Sequence, residues 1–164
     1  MPHTMKRIFF YIAFAIVAVS FTSCLMGDAQ STPLIQVYST VYRDTPAGVH
    51  DTITLGDTLH VGDTLRVPCI LYGNYNNLTE FKVTVDTADL DMRLLVDSGY
   101  QALLDAASQP EKAYLRFAND VYVFSAAMQY VPKRIGSLKI SMTLASTAEA
   151  KYSPFTAWYV QEVR

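Results

Sequence analysis

Residues 137–144 read Ser-Leu-Lys-Ile-Ser-Met-Thr-Leu. Apolar and polar side chains alternate without a break, a period of two that marks a strand with one face in a core and one in water. A helix buried on one side would repeat near 3.6 instead. The same period recurs outward from this stretch. Leu65, Val67, Cys69 and Leu71 alternate with Thr64, Arg66 and Pro68, and Phe81, Val83 and Val85 alternate with Glu80, Lys82, Thr84 and Asp86. Tyr122, Phe124, Ala126, Met128 and Tyr130 form a longer apolar stripe. Ile35, Val37 and Val41, then Leu90, Met92 and Leu94, and finally Phe155–Val163 add further strands.

Turn residues fall between these runs: Gly56-Asp57, Gly62-Asp63, Gly73-Asn74, Asn76-Asn77, Asn119-Asp120 and Pro132–Gly136. Seven or eight short strands so spaced predict an all-β fold, a two-sheet antiparallel sandwich. Only one stretch reads as helical. Ser98-Gly99-Tyr100-Gln101 has capping-box spacing before Ala102-Leu103-Leu104, and Pro110 limits it, so one short helix is predicted near 99–107. Leu55-Gly-Asp-Thr-Leu-His-Val61 is echoed by Val61-Gly-Asp-Thr-Leu-Arg-Val67. Two copies are too few for a solenoid, so the echo reads as two successive Gly-Asp turns in a β-meander.

The start of the chain follows other rules. Lys6 and Arg7 precede an unbroken apolar run from Ile8 to Val19, followed by Ser20-Phe21-Thr22-Ser23-Cys24. This is the layout of a secretory signal, and the run is shorter than the roughly 20 residues that span a bilayer. Phe21-Thr22-Ser23-Cys24 resembles a bacterial lipobox, with Phe21 where that family uses Leu, Val or Ile. The resemblance implies cleavage before Cys24, with the cysteine acylated by palmitate-type chains. An ordinary signal peptide with an incidental cysteine is the alternative. Residues 1–23 are then a removed signal peptide, 24–33 a lipidated N-terminus and short polar tether, and 34–164 a single domain. A lipid anchor implies a bacterial cell-envelope location, at the outer membrane in preference to the inner. Asp28 alone does not decide which face the protein occupies.

Removal of the signal also changes the balance of charge and thiols. Of 13 Lys and Arg, Lys6 and Arg7 leave with it, so 11 remain against 15 Asp and Glu, a net charge of about −4. A mildly acidic chain carries no electrostatic footprint for nucleic acid. With Cys24 acylated, Cys69 is the one cysteine left, and no internal disulfide can form.

The sandwich also resembles bacterial immunoglobulin-like domains, in particular those of lipoproteins from Gram-negative anaerobes. The residues that carry this are Tyr130-Val131-Pro132-Lys133-Arg134-Ile135-Gly136 with the strand that follows, and Gly62-Asp63-Thr64-Leu65-x-Val67 before an inner strand. The resemblance covers residues 34–164 and implies a fold, not an activity.

Chemistry-bearing residues are sparse. Cys69 stands in phase with Leu65, Val67 and Leu71, the position of a packed thiol. His50 and His60 are the mature chain's only histidines, with no metal-ligand spacing, and His60 is expected to face water on a strand. No nucleophile elbow, P-loop or dinucleotide fingerprint occurs, so no catalytic, cofactor or metal site is assigned. Asp86, Asp89, Asp91 and Asp97 lie around one strand, and Asp51, Asp57 and Asp63 lie at turns. They read as turn formers, with calcium as the alternative. Asp-Thr-apolar triplets at Thr52, Thr58, Thr64 and Thr87 resemble the O-glycosylation acceptor of exported proteins in some Gram-negative anaerobes. A turn that enters a strand has the same composition.

Aromatic residues remain. Tyr75, Tyr152, Trp158 and Tyr159 fall in turns or on the last strand, where exposed rings can stack on sugars or anchor a protein. Adjacent strand residues point to opposite faces, so one of Trp158 and Tyr159 is expected at the surface. These features predict a non-enzymatic, membrane-anchored sandwich that binds an envelope protein or glycan. The alternatives are a structural accessory subunit of an envelope assembly and a small hydrolase.

Overall fold

The alternation of residues 64–72 builds β4 (Thr64–Tyr72), which organises the first sheet. Leu65, Val67, Cys69 and Leu71 are all buried on one face. On one side β4 pairs with β8 (Val123–Pro132), in register from Leu65↔Tyr130 to Tyr72↔Val123. β8 in turn pairs with β6 (Leu90–Leu95). On its other side β4 pairs with β1 (Leu34–Val37) and then β2 (Thr40–Asp44), and β2 pairs with β3 (His50–Thr54). The second sheet has the order β10 (Phe155–Val163), β9 (Gly136–Ser146), β5 (Leu78–Thr84), β7 (Tyr114–Arg116). All these pairings are antiparallel. The structure, a computed structural model, describes residues 31–85 and 89–164. The signal segment, Cys24 and Thr87 lie outside the described residues. Ser31–Arg164 is a compact unit, and among the described residues no helix is long and apolar enough to cross a membrane.

Among the described residues ten strands stand where seven or eight were expected, and the excess has local causes. The first strand is broken in two at Tyr38-Ser39, opposite Val67-Pro68, where β4 lacks one backbone donor. β3 and β7 are short additions at sheet edges. With β1 and β2 counted as one strand and these two set aside, the order is first-second-fifth-fourth in one sheet and seventh-sixth-third in the other. That is the immunoglobulin constant-type arrangement. One departure is that β7 lies beside β5 yet follows β6 in the chain.

The core lies between the two inner faces. Phe124, Met128 and Tyr130 of β8 meet Phe81 of β5 and Ile140, Met142 and Leu144 of β9 within one buried cluster. Tyr122, expected in the β8 stripe, precedes the strand and is exposed.

The helix expected at 99–107 is a 3-10 helix of about two turns, Ser98–Leu103, and a single 3-10 turn covers Pro110–Lys112. Asp97, not Ser98, stands at its start, and no side chain caps it. Leu104 is already extended and bridges to Phe117, and Ala118 N–H donates to Leu103 O at 2.9 Å. Sheet-like pairing therefore ends the helix after two 3-10 turns.

The six-residue echo is a repeated turn. Asp57 N–H donates to Thr54 O at 2.9 Å and Asp63 N–H to His60 O at 3.1 Å. Each has glycine with positive φ at the third position, Gly56 at 97° and Gly62 at 90°, as a type II turn requires. Each Asp carboxylate also accepts the first residue's N–H, from Thr54 at 2.8 Å and from His60 at 2.9 Å. No full strand separates the two turns; between them the buried Leu59 makes one parallel bridge to Val163. His60 is exposed, as expected, but it opens a turn and is not part of a strand.

Candidate functional site

Three surfaces collect the candidate residues. The first is the end of the sandwich where the ordered domain begins. Residues 31–33, expected to belong to the tether, are held by the domain. Pro33 is buried, Asn74 Nδ2 donates to Thr32 O at 2.7 Å, and Ser31 Oγ donates to Asn74 O. The turn that holds them, Gly73–Asn77, carries Tyr75, 91% exposed with φ of 73°. Asn77 and Thr147 exchange two hydrogen bonds, which joins this turn to the β9–β10 loop. Tyr152 lies in that loop, half-buried, with the Lys151 ammonium 4.8 Å from its ring centroid. Tyr75 and Tyr152 thus share one pole with Ser31.

The second surface is the outer face of the second sheet. β10 turns Thr156, Trp158, Val160 and Glu162 outward. Trp158 is 61% exposed, and the Lys139 ammonium sits 4.9 Å from its ring centroid, within cation–π range. Thr156 and Thr143 hydroxyls pair at 3.1 Å beside it, and Ser141 stands opposite it on β9. Tyr159, the other member of the pair, faces inward with its hydroxyl buried near Tyr130. Burial pushes that phenol up, which leaves Trp158 as the surface aromatic of β10.

The third surface was not foreseen. Tyr42, Asp44, His50 and Arg66, with Asp51 and Thr52, line an open depression of about 560 Å³ on the first sheet. Asp44 accepts Arg66 Nη2 at 2.6 Å and lies 2.7 Å from His50 Nδ1. Its carboxyl is held below the usual range by the His50 hydrogen bond first and the Arg66 charge next. Arg43 grips Asp51 in a two-point ion pair at 3.0 and 2.5 Å. A carboxylate–histidine pair orients a base, but among the described residues no hydroxyl or thiol hydrogen-bonds to His50.

The remaining candidates are dispersed. Asp89 is bound by Arg134, with one contact at 2.6 Å, and Asp91 by Lys133 at 2.5 Å, so both aspartates anchor the Pro132–Gly136 turn. Among the described residues no three His, Cys, Asp or Glu side chains converge as a metal site. Thr52 is exposed on β3, Thr58 is half-buried between the two echo turns, and Thr64 is the half-buried first residue of β4.

Cys69 is buried, and burial pushes its thiol up to about 12. Because the folded state holds the proton more tightly, the associated stability is complete below the ordinary thiol pKa of about 8.5 and is lost as pH rises toward 12. A disulfide reagent at pH 8 is therefore expected to leave Cys69 unmodified in the native chain and to titrate it fully in denaturant. Rapid native labelling would contradict the packed position.

No protein-family model matches this chain, and no curated protein matches it. Among solved structures it is similar to a DUF4466 family protein from Parabacteroides merdae (TM-score 0.44, 11% identity, 80% of this chain and 43% of that one). It is also similar to a chain described as BspA_C_mut (TM-score 0.45, 12% identity, 80% and 47%). A family 123 glycoside hydrolase from Clostridium perfringens is comparable (TM-score 0.45, 10% identity, 81% and 27%). The chain spans less than half the length of each.

Proposed function

We propose that this protein is a non-catalytic binding module, held by an acylated Cys24 at a bacterial outer membrane, that recognises an envelope protein or glycan. The observation that carries the binding role is Trp158. A large indole is kept in water on a rigid strand, with a lysine at its ring and three hydroxyl side chains on the same face beside it (Ser141, Thr143 and Thr156). Such a platform suits a sugar ring or a partner's apolar side chain, and tryptophan is over-represented among residues that dominate binding energy. The lipobox resemblance supports the anchor. A folded unit that starts at Ser31 leaves six residues after Cys24, so the tether reaches about 20–25 Å and favours partners close to the same membrane.

The test is capture from native envelopes and from glycan arrays, with wild type and Trp158→Ala compared. Trp158 is exposed, so the substitution should leave the unfolding midpoint within about 2 °C. Capture should fall at least about tenfold, the scale of a dominant interface residue. Equal capture by both proteins would remove Trp158 from the binding surface. A structural accessory role is favoured by a different observation, the open outer edge of β10.

A further inference from the structure

Among the described residues the sandwich has five edge strands, and four are short or blunted. β6 carries Asp91 and Arg93, β7 is three residues long with Tyr114 bridged to Gln109, β3 carries the Asp51 ion pair, and β1 is only four residues long. These are common protections against unwanted strand pairing. β10 has none of them along most of its length. It runs in unbroken register from Phe155↔Leu144 to Val163↔Gly136, and residues 155–161 contain no charge, proline or glycine.

Which backbone groups are free follows from strand parity. Leu59 N–H donates to Glu162 O at 3.0 Å, and Arg164 N–H donates to Leu59 O at 2.8 Å. Glu162 and Arg164 therefore direct their backbone groups to the outer edge. By the two-residue period so do Val160, Trp158 and Thr156. All three are exposed, and among the described residues none has a backbone partner on that side. The window is closed at one end by Leu59 on Glu162 and at the other by Pro154, which has no N–H to offer.

We propose that this window pairs with the same window of a second copy, antiparallel about a twofold axis through Trp158. The three positions are then self-complementary. Trp158 opposes Trp158 of the second copy, Thr156 opposes Val160, and Val160 opposes Thr156. Each of these pairs exchanges two hydrogen bonds, about six in all. At the next position Glu162, already occupied by Leu59, faces Pro154, so the pairing stops where neither copy has groups to contribute. No charge lies in the window to repel its own image. A foreign strand would satisfy the backbone equally well, but the second copy brings the matching stops and aligns the two indoles. The result joins two four-stranded sheets into one continuous sheet with a doubled Trp158 platform.

The pairing rests on β10 alone and not on lipidation or on any outside ligand. The lipidated mature chain in detergent should sediment as a dimer at tens of micromolar. Trp158→Cys, made like the other cysteine variants in a Cys24→Ser background and purified, should form an intermolecular disulfide under mild oxidation, because the two Cα atoms of such a pair lie about 5.5 Å apart. Cys69 is buried and Cys24 is replaced, so neither competes. Thr156→Cys and Val160→Cys should each stay reduced alone and cross-link when combined. Val160→Pro removes only an outward N–H, so it should give a monomer with an unchanged circular dichroism spectrum. Trp158→Lys, which sets like charges face to face on an exposed site, should give the same monomer if the proline variant fails to fold. A monomeric wild type overturns the proposal. So does a Trp158→Lys dimer, or a disulfide from Val160→Cys alone.

Discussion

Truncation of Phe124 to alanine is expected to lower the unfolding free energy by about 3–5 kcal/mol, the range for a buried phenylalanine. Phe124 is fully buried near the start of β8, the strand between β4 and β6. Its ring meets Phe117 edge-to-face at 5.0 Å and Tyr100 at 5.5 Å. Both partners belong to the long connection between β6 and β8, so the lost ring also frees that connection from the core. No disulfide limits the damage, because Cys69 is a free thiol. Domains of this size are stable by only about 5–15 kcal/mol, so the loss is a large share of the total. Urea unfolding of the full chain measures it, with Val123→Ala as the control. Val123 is the neighbouring residue, half exposed, and should change stability by less than about 0.5 kcal/mol. A Phe124→Ala loss below about 1 kcal/mol would mean that the connection is held elsewhere.

Cys24→Ser is expected to have the largest effect on where the protein resides. The wild-type N-terminal peptide should carry acyl mass and partition into detergent. The variant should carry none, because a serine hydroxyl cannot form the thioether of a lipobox cysteine. Each buried methylene of an acyl chain adds about 0.8 kcal/mol to membrane attachment, so the loss of two or more chains abolishes stable anchoring. The apolar run Ile8–Val19 does not replace it, being well short of the roughly 20 residues a spanning helix needs. Mass spectrometry of the N-terminal peptide and phase partition together decide the matter. A wild-type chain cut before Cys24 and free of acyl mass would refute lipidation.

Much of the fold was legible because strand alternation is a local signal. Leu138, Ile140, Met142 and Leu144 are buried as their period demands, and so are Leu65, Val67, Cys69 and Leu71. That Trp158 and Tyr159 face opposite ways also needs no more than parity, but which of them faces the core is set by how β10 packs in the second sheet. Features that depend on distant partners were not legible. The short 3-10 helix at Ser98–Leu103 gives way to a bridge between Leu104 and Phe117, thirteen residues on. β3 and β7 are too short to show a period. The Asp44, His50 and Arg66 cluster draws on three strands and forms because Tyr42 stands opposite both Thr52 and Arg66. Asp89, read as a turn former or calcium ligand, is held by Arg134 across 45 positions of sequence.

The two ends of the domain give the sandwich a mechanical direction. Ser31 is fastened at the pole of the Gly73–Asn77 turn, and Arg164 is hydrogen-bonded to Leu59 at the opposite pole. Tension applied between Ser31 and Arg164 runs along the strands, not across them. β1 and β2 would have to slide along β4, with their ladder bonds loaded side by side and obliged to break together. A hairpin peeled from its end gives up its bonds one at a time. Under this geometry the domain resists a steady pull in shear.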